Sequence, residues 1–187
     1  MKHIVWKAFY DFEKEEIWLN EMSAKGMALS DYSWCRYVFQ ETPNSEYSYR
    51  VELLEYLPKH AESIAYLRFL EENGVECAAM YWRWVYLRKK TSEGAFELYS
   101  DIKSKINYYK RILLFWTTFM WLELIIGALN ISVGLATIFT NHSLGDAPFI
   151  NFIGGALLML LGLYFYLLGS PIRKRVKKLK SEMLISE

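Results

Sequence analysis

Hydrophobic and polar residues follow two different patterns along this chain. In residues 1–111, apolar positions occur in short runs and at helical spacing, and charged residues interrupt them throughout. Residues 112–170 contain no Lys or Arg and only two acidic residues, Glu123 and Asp146. This change of pattern predicts a water-soluble N-terminal domain followed by segments that cross a membrane.

The N-terminal pattern begins with a strand and a helix. Ile4–Phe12 is rich in β-branched and aromatic residues, which favours a strand. Asp11 is a candidate N-cap for a helix over Glu13–Lys25, and Glu13, Glu15 and Glu16 suit the positive N-terminal end of that helix. Trp18 and Met22, four positions apart, are expected to begin its buried stripe.

Two glycines are expected to end the helices of this domain. Gly26 follows the first helix at the position where a left-handed residue commonly stops a helix. Residues 60–74 predict a second amphipathic helix, which carries Ile64, Leu67 and Leu70 on one side and ends at Gly74.

The remaining segments of the domain predict strands. Residues 29–41 hold one or two strands, and residues 75–90 give two more. Residues 47–54 alternate cleanly, with Ser48, Arg50 and Glu52 on the polar face. Residues 91–99 predict a turn and a short strand. The order β-α-β-β-β-α-β-β predicts an α+β fold over residues 1–100, with a ferredoxin-like antiparallel sheet and two helices on one face.

The apolar part of the chain predicts a two-helix transmembrane hairpin. Residues 112–140 and 149–170 are each long enough to cross the ~30 Å hydrocarbon core, and residues 141–148 form a short extracytoplasmic loop. A polar helix over residues 101–111, capped by Ser100 or Asp101, precedes the first span. Because no Gly or Pro lies between Asp101 and Gly127, the connection is expected to be stiff.

Basic residues predict the orientation of the hairpin. They precede the first span and fill the tail over residues 171–187, whereas the loop has none. Positive residues stay inside, so both termini are expected in the cytoplasm of a multi-pass inner-membrane protein. The residues expected at the membrane surface are Lys110, Arg111, Arg173, Lys174, Arg175, Lys177 and Lys178.

Small and polar residues within the spans suggest helix packing. The glycines at seven-residue spacing are Gly127, Gly134, Gly155, Gly162 and Gly169. They can pack the hairpin against itself or form the face of a homodimer or another protein partner. Glu123 is either a functional intramembrane carboxylate or a residue close to the headgroups, and Asn130 and Asn151 can bond across the hairpin.

Composition narrows the possible partners. Residues 1–111 hold 16 Lys and Arg against 17 Asp and Glu, which argues against nucleic-acid binding. The first 15 residues carry charges and no long apolar run, so no signal peptide is expected. Cys35 and Cys77 are then expected to be reduced thiols in the cytosol.

No pattern points to a particular chemistry. The three histidines, His3, His60 and His142, are scattered and have no metal-ligand spacing with the two cysteines. The sequence contains no glycine-rich phosphate loop, no nucleophile elbow and no HExxH motif. We therefore expect no metal, no cofactor and no catalytic residue.

Aromatic residues of the domain are the remaining candidates for binding. They form either the core of a sheet beneath two helices or the lining of a cleft for an amphipathic or cationic ligand. The candidate ligand-binding residues are Trp34, Tyr49, Arg50, Trp82, Arg83 and Trp84.

Several segments together resemble the bacterial DUF2812 domain of unknown function. These segments are residues 9–27, 47–54, 69–76, 84–90 and 96–111. The resemblance covers roughly residues 4–111. It implies a Gram-positive membrane protein, often encoded beside PadR-type transcription regulators, and it assigns no catalytic or binding residue.

The sequence favours a non-catalytic sensing or binding module that signals through the helix over residues 101–127. One alternative is an accessory subunit of a membrane complex that docks through Glu123 and the glycines. The other is a membrane-bound enzyme whose site has no recognisable motif.

Overall fold

A computed structural model describes residues 2–99, 101–141 and 146–186. The strands are β1 (Lys2–Trp6), β2 (Met27–Ser33), β3 (Arg36–Glu41), β4 (Tyr47–Leu53), β5 (Val75–Tyr81) and β6 (Trp84–Lys90). The helices are α1 (Phe12–Ala24), α2 (Ala61–Glu72), α3 (Ile102–Asn141), α4 (Asp146–Leu168) and α5 (Ser170–Ser186). The chain forms two compact units, Met1–Ser100 and Asp101–Glu187.

The α+β class and the order of elements in the first unit are confirmed, but the strands do not form one sheet. They form two antiparallel three-stranded sheets, one in the order β1-β3-β2 and the other in the order β4-β6-β5. The expected ferredoxin-like sheet is therefore replaced by two smaller sheets. The short strand expected after β6 is also absent from the described residues, where a 3-10 turn over Thr91–Glu93 leads into an irregular segment.

The two sheets are halves of an internal repeat. Elements β1-α1-β2-β3 (the first repeat) and β4-α2-β5-β6 (the second repeat) share one topology and one strand order. Gly26 and Gly74, 48 positions apart, both follow the helix with φ near +76°. The register shifts between Leu29 and Asp31 in one hairpin and between Cys77 and Ala79 in the other, again 48 positions apart.

Side chains of helix α1 explain why the second sheet ends at β4. Its side chains bond the backbone of β4 along the edge that faces away from β6. Asn20 accepts from the amide of Tyr49 and donates to the carbonyl of Tyr49, at 2.9 and 3.2 Å. Ser23 donates to the carbonyl of Tyr47 at 2.6 Å, and Glu16 accepts from the amide of Val51 at 3.2 Å. Side chains thus protect an edge that would otherwise pair with another strand.

The ends of α1 follow the sequence prediction, but its buried stripe does not. Asp11 caps the helix by accepting from the amide of Glu13 at 3.1 Å. The prediction that Trp18 and Met22 begin the buried stripe is wrong, because both are only half-buried. The buried positions are Phe12, Glu15, Leu19 and Ser23. The stripe shifts because α1 packs against a sheet on one side and β4 on the other.

Helix α3 is continuous from the polar segment into the apolar segment. Asp101 caps it by accepting from the amide of Ser104 at 2.7 Å, whereas the other candidate cap, Ser100, lies outside the described residues. Its 40 residues extend about 60 Å at 1.5 Å per residue, twice the thickness of a hydrocarbon core. The helix is therefore long enough to cross a membrane and to extend beyond it.

Helices α3 and α4 pack closely against each other. A Cβ added to Gly127 would lie 2.9 Å from the carbonyl oxygen of Gly155, and one added to Gly155 would lie 2.8 Å from that of Gly127. The tail after α4 is not extended, since α5 continues as an amphipathic helix that packs against α3 and buries Ile172 and Val176. Of the loop expected over residues 141–148, Asn141 ends α3 and residues 146–148 belong to α4, while residues 142–145 lie outside the described residues.

Candidate functional site

A buried carboxylate joins the two repeats. Glu15 of α1 is 7% exposed, and its Oε1 accepts from the hydroxyl of Tyr37 at 2.5 Å and from that of Tyr86 at 2.7 Å. Tyr37 belongs to the first sheet and Tyr86 to the second. The ring of Tyr32 lies between them, with centroid distances of 4.7 and 4.5 Å. The cluster is fully packed and resembles a polar core more than a ligand site.

Burial changes the protonation of this cluster. It raises the pKa of Glu15, and the hydrogen bonds from the two tyrosines offset only part of that rise. Burial and the neighbouring carboxyl group raise the pKa of Tyr37 and of Tyr86 well above their usual range. The tyrosines therefore remain hydrogen-bond donors, and Glu15 is the group that titrates.

A second buried carboxylate holds the end of the domain. Glu52 of β4 is 2% exposed and accepts two hydrogen bonds from tyrosine hydroxyls. Tyr66 of α2 donates to its Oε2 at 2.7 Å, and Tyr99 donates to its Oε1 at 2.6 Å. Tyr99 lies two residues before Asp101, the cap of α3. The arrangement links α2 to the segment from which α3 begins.

Helix α2 also forms one wall of an open cavity. The cavity has a volume of about 400 Å³ and lies between α2 and β5. Its lining combines apolar, basic and acidic side chains with a thiol: Ile64, Leu67, Arg68, Glu71, Glu76 and Cys77. This volume suits a small ligand or a peptide segment. We call it the α2–β5 groove.

Some polar side chains of the groove already form contacts with other residues of the domain. Glu76 pairs with Arg88, with 2.7 Å between its Oε2 and Arg88 Nη2. Cys77 is exposed, its thiol donates to the carbonyl of Ala79 at 3.4 Å, and partial desolvation by the surrounding protein raises its pKa, which lowers its reactivity as a nucleophile. The groove therefore offers recognition more than covalent chemistry.

Three of the six candidate ligand-binding residues lie within the packed domain. Tyr49 is buried, and its hydroxyl accepts from the amide of Leu29 at 2.8 Å. Arg50 pairs with Glu16 at 2.9 Å. Trp84 is half-buried, with its ring 6.3 Å from that of Phe12.

The other three candidates lie at the hairpin turns. Trp34 follows β2, Trp82 follows β5, and both are exposed with positive φ. The ring of Tyr81 lies 6.4 Å from that of Trp34. Arg83 donates to the carbonyl oxygens of Leu54 and Glu55 at 2.8 and 2.6 Å. The structure does not bring the six residues together around one cleft.

The glycines of the second unit lie mainly in the α3–α4 contact. Cβ atoms added to Gly127 and Gly155 would meet the opposite backbone, as described above. One at Gly134 would meet Phe152 and Pro148, and one at Gly162 would meet Leu124 and Met120. Gly169, after α4, has Leu113 of α3 and Arg173 as neighbours.

The polar residues of the spans have different surroundings. Glu123 and Asn130 are half-buried on α3, seven positions apart. The amide nitrogen of Asn130 donates to the carbonyl of Ile126 at 2.9 Å. No hydrogen bond or ion pair joins Glu123 to another residue within 2–99, 101–141 and 146–186. Asn151 is half-buried on α4.

The basic residues lie at the ends of the apolar segments. Lys110, Lys174 and Lys177 are exposed, and Arg111 and Arg175 are half-buried. Arg173 donates to the carbonyl of Tyr166 at 2.6 Å, and Lys178 lies 3.8 Å from Glu182. In the part of the chain that the structure describes, no three His, Cys, Asp or Glu side chains are grouped to hold a metal ion.

A family model described as a protein of unknown function, DUF2812, matches residues 11–121. The chain belongs to the DUF2812 family. The match extends beyond the first unit into α3, so the family model includes the junction between the polar and apolar parts of this helix. No curated protein and no solved structure matches this DUF2812 chain.

Sequence reasoning missed Glu15, Glu52 and the groove. Glu15 was attributed to the first turn of a helix, where acidic residues are common. Glu52 was placed on the polar face of an alternating strand. The signal that could have found the groove is the internal repeat, because only a comparison of the two halves identifies the positions that differ.

Proposed function

We propose that this DUF2812 protein is a membrane-anchored, non-catalytic binding module. Its N-terminal domain binds a partner or ligand in the cytosol, and α3 passes the bound state to the hairpin. The observation that carries the proposal is the continuity of α3 from Asp101, next to the Tyr99 anchor, to Asn141.

Membrane anchoring is supported by the apolar helices and by the distribution of charge. The structure has two helices long and apolar enough to cross a membrane, over Ile102–Thr140 and Pro148–Leu184. Basic residues stand before α3 becomes apolar and after α4 ends, which favours cytoplasmic termini. A single turn between the spans would then face outward.

The proposed coupling begins at α2. An occupant of the α2–β5 groove would contact Ile64 and Leu67 on this helix. A shift of α2 would move Tyr66 and change its hydrogen bond to Glu52, which also holds Tyr99. Tyr99 lies three residues before Ile102, the first residue of α3, so we expect the change to reach this stiff helix.

The stiffness of α3 can be measured in the full chain in liposomes. Nitroxide labels at Lys103→Cys and Ile126→Cys, with Cys35→Ser and Cys77→Ser, should give one narrow distance near 35 Å by pulsed electron paramagnetic resonance. Replacing Lys110–Ile112 with three glycines should broaden the distribution. Replacing the same residues with three alanines should keep it narrow.

The alanine variant is the matched control, because it loses the same side chains and keeps the helix. A broad distribution in the unmodified helix would contradict the proposal. Extraction of the protein from membranes by carbonate would contradict the anchoring itself.

A second candidate function, an accessory subunit, is favoured by Glu123. A half-buried carboxylate with no partner in the described chain is costly in lipid unless another helix supplies a partner. A photo-crosslinker at position 123 should then capture one membrane protein in native membranes, and a crosslinker at the exposed Leu129 should not. Equal capture at both positions would count against this role.

A further inference from the structure

The α2–β5 groove has a filled counterpart in the first repeat. A shift of 48 positions relates each lining residue to one of the first repeat. The counterparts of Ile64, Leu67, Arg68, Glu71, Glu76 and Cys77 are Glu16, Leu19, Asn20, Ser23, Ala28 and Leu29. The match is supported by the two glycines and the two bulges at the same spacing.

The counterpart positions bind strand β4. Glu16, Asn20 and Ser23 bond the backbone of Val51, Tyr49 and Tyr47. The amide of Leu29 donates to the hydroxyl of Tyr49. Four of the six counterpart positions therefore contact one strand, which fills in the first repeat the space that is open in the second.

From this equivalence we propose that the α2–β5 groove receives an extended strand, and that the strand is β1 of a second copy of this chain. Strand β1 opens the first repeat as β4 opens the second, so it is the structural counterpart of the strand already bound. The inference rests on the proposed function only in taking the groove as a binding site.

Strand β1 is accessible and apolar on its outer face. It is an edge strand, paired with β3. Ile4 is 54% exposed and Trp6 is 69% exposed. Ile4 pairs with Val38, and Val51 pairs with Tyr86, so Ile4 corresponds to Val51. Strand β1 would then present to the groove the face that β4 presents to α1.

The proposed register also places a basic residue of β1 in a groove whose lining contains two glutamates. By the same pairing, Lys2 corresponds to Tyr49, because Lys2 pairs with Gln40 and Tyr49 with Arg88. The side chain of Tyr49 reaches the amide of Leu29, whose counterpart is Cys77. The backbone of Lys2 of the second copy would therefore lie beside Arg68, the counterpart of Asn20, and its side chain near Cys77, in a lining that also contains Glu71 and Glu76.

This contact uses different surfaces on the two copies. One copy gives β1, and the other gives α2 and β5. Two copies can exchange the contact reciprocally as a closed dimer, or continue it head to tail. In both arrangements Ile4 of one copy lies beside Ile64 of the other, as Val51 lies beside Glu16 within the chain.

The test is disulfide crosslinking of the full chain in liposomes. Two differently tagged copies, both with Cys35→Ser and Cys77→Ser, carry Ile4→Cys and Ile64→Cys respectively. Mild oxidation should give a covalent pair that contains both tags. The control replaces Ile64→Cys with Ile17→Cys, which is exposed on α1 away from the counterpart surface and should give no pair.

Charge reversal provides the second readout. Lys2→Glu should lower the yield of the 4–64 crosslink about fivefold, since an exposed ion pair contributes up to about 1 kcal/mol. Adding Glu71→Lys to the other copy should restore the yield. No 4–64 crosslink, or equal crosslinking to position 17, overturns the proposal. If a small molecule or another protein fills the groove, no 4–64 crosslink forms. The distance measurement on α3 would still give a narrow distribution, so the proposed function would stand while this proposal fails.

Discussion

The two repeats of the N-terminal domain place different residues at the same positions of one topology. Helix α1 carries Glu15, which bonds tyrosines of both sheets, whereas α2 carries Ser63, which donates to the carbonyl of Tyr56 at 3.2 Å. Leu19 of α1 is fully buried, whereas its counterpart Leu67 lines a groove. The first helix is enclosed on two sides, and the second has one open side.

This difference indicates where the domain can respond to a partner. Helix α1 is fixed by polar contacts to both sheets, so moving it would expose a carboxyl group and several backbone groups. Helix α2 keeps its packing against its own sheet but presents an open groove, and Tyr66 links it through Glu52 to Tyr99. Elements with fewer enclosing contacts move at lower free-energy cost.

The largest expected contrast is between Leu19→Ala and Leu67→Ala. Removing the side chain of Leu19 leaves a cavity in a closed core and should lower the free energy of unfolding by about 3 kcal/mol. The same change at Leu67 should cost about 1 kcal/mol, because water already reaches the groove. Urea unfolding of the full chain in nanodiscs, followed by tryptophan fluorescence, measures both. Equal losses would contradict the contrast.

A second matched pair is Asn20→Ala and Arg68→Ala. The first change removes the side-chain acceptor of the Tyr49 amide, while the Tyr49 carbonyl keeps its bond from Arg50 at 3.0 Å, and it should cost about 2 kcal/mol. The second should change stability by no more than about 0.5 kcal/mol, because no strand occupies the groove in the single chain. The same unfolding assay compares them, and a larger loss at Arg68 would reverse the assignment of the enclosed helix.

Substitution of Glu15 should change the pH dependence of the free energy of unfolding, whereas substitution of Ser63 should not. Because burial raises the pKa of Glu15 in the folded state, its contribution is fully present below the unfolded pKa and is lost as the pH rises through the folded pKa. Glu15→Gln cannot ionise, so the wild type should lose stability relative to this variant by up to about 1.4 kcal/mol per pH unit between the unfolded and the folded pKa of Glu15.

Ser63→Ala is the control for that titration, since its effect should not vary with pH. Unfolding midpoints measured between pH 4 and 8 supply the comparison. If the wild type gained stability relative to Glu15→Gln as the pH rose, the carboxylate would be favoured by the fold, and the assignment of burial as the dominant cause would fail.

Local rules predicted the order of elements but not their association into sheets. Asp11, Gly26 and the absence of Gly and Pro after Asp101 act on nearby backbone, so the helix ends and the continuity of α3 were predictable. The burial of Glu15 depends on Tyr86, 71 positions away, and no local pattern contains that partner. Glu52 was assigned to the polar face of its strand, but its carboxylate is bonded there by Tyr66 of α2 and by Tyr99.

The repeat was hidden because few residues are shared between its halves. At a shift of 48 positions the identities are Leu19 with Leu67, Gly26 with Gly74 and Trp34 with Trp82. The glycines hold positive φ, and both tryptophans follow a strand at a hairpin turn with positive φ. Topology is therefore retained through turn geometry, while the side chains that enclose α1 are replaced along α2.

The most direct test of the account measures whether a change at the α2–β5 groove reaches α3. Ile64→Cys, with Cys35→Ser and Cys77→Ser, is modified with a bulky maleimide in the full chain in nanodiscs, and hydrogen exchange is read over residues 102–110. We predict that modification changes exchange there, and that Tyr99→Phe, which removes the hydrogen bond to Glu52, abolishes the change. Complete modification that leaves exchange over residues 102–110 unaltered would contradict the account.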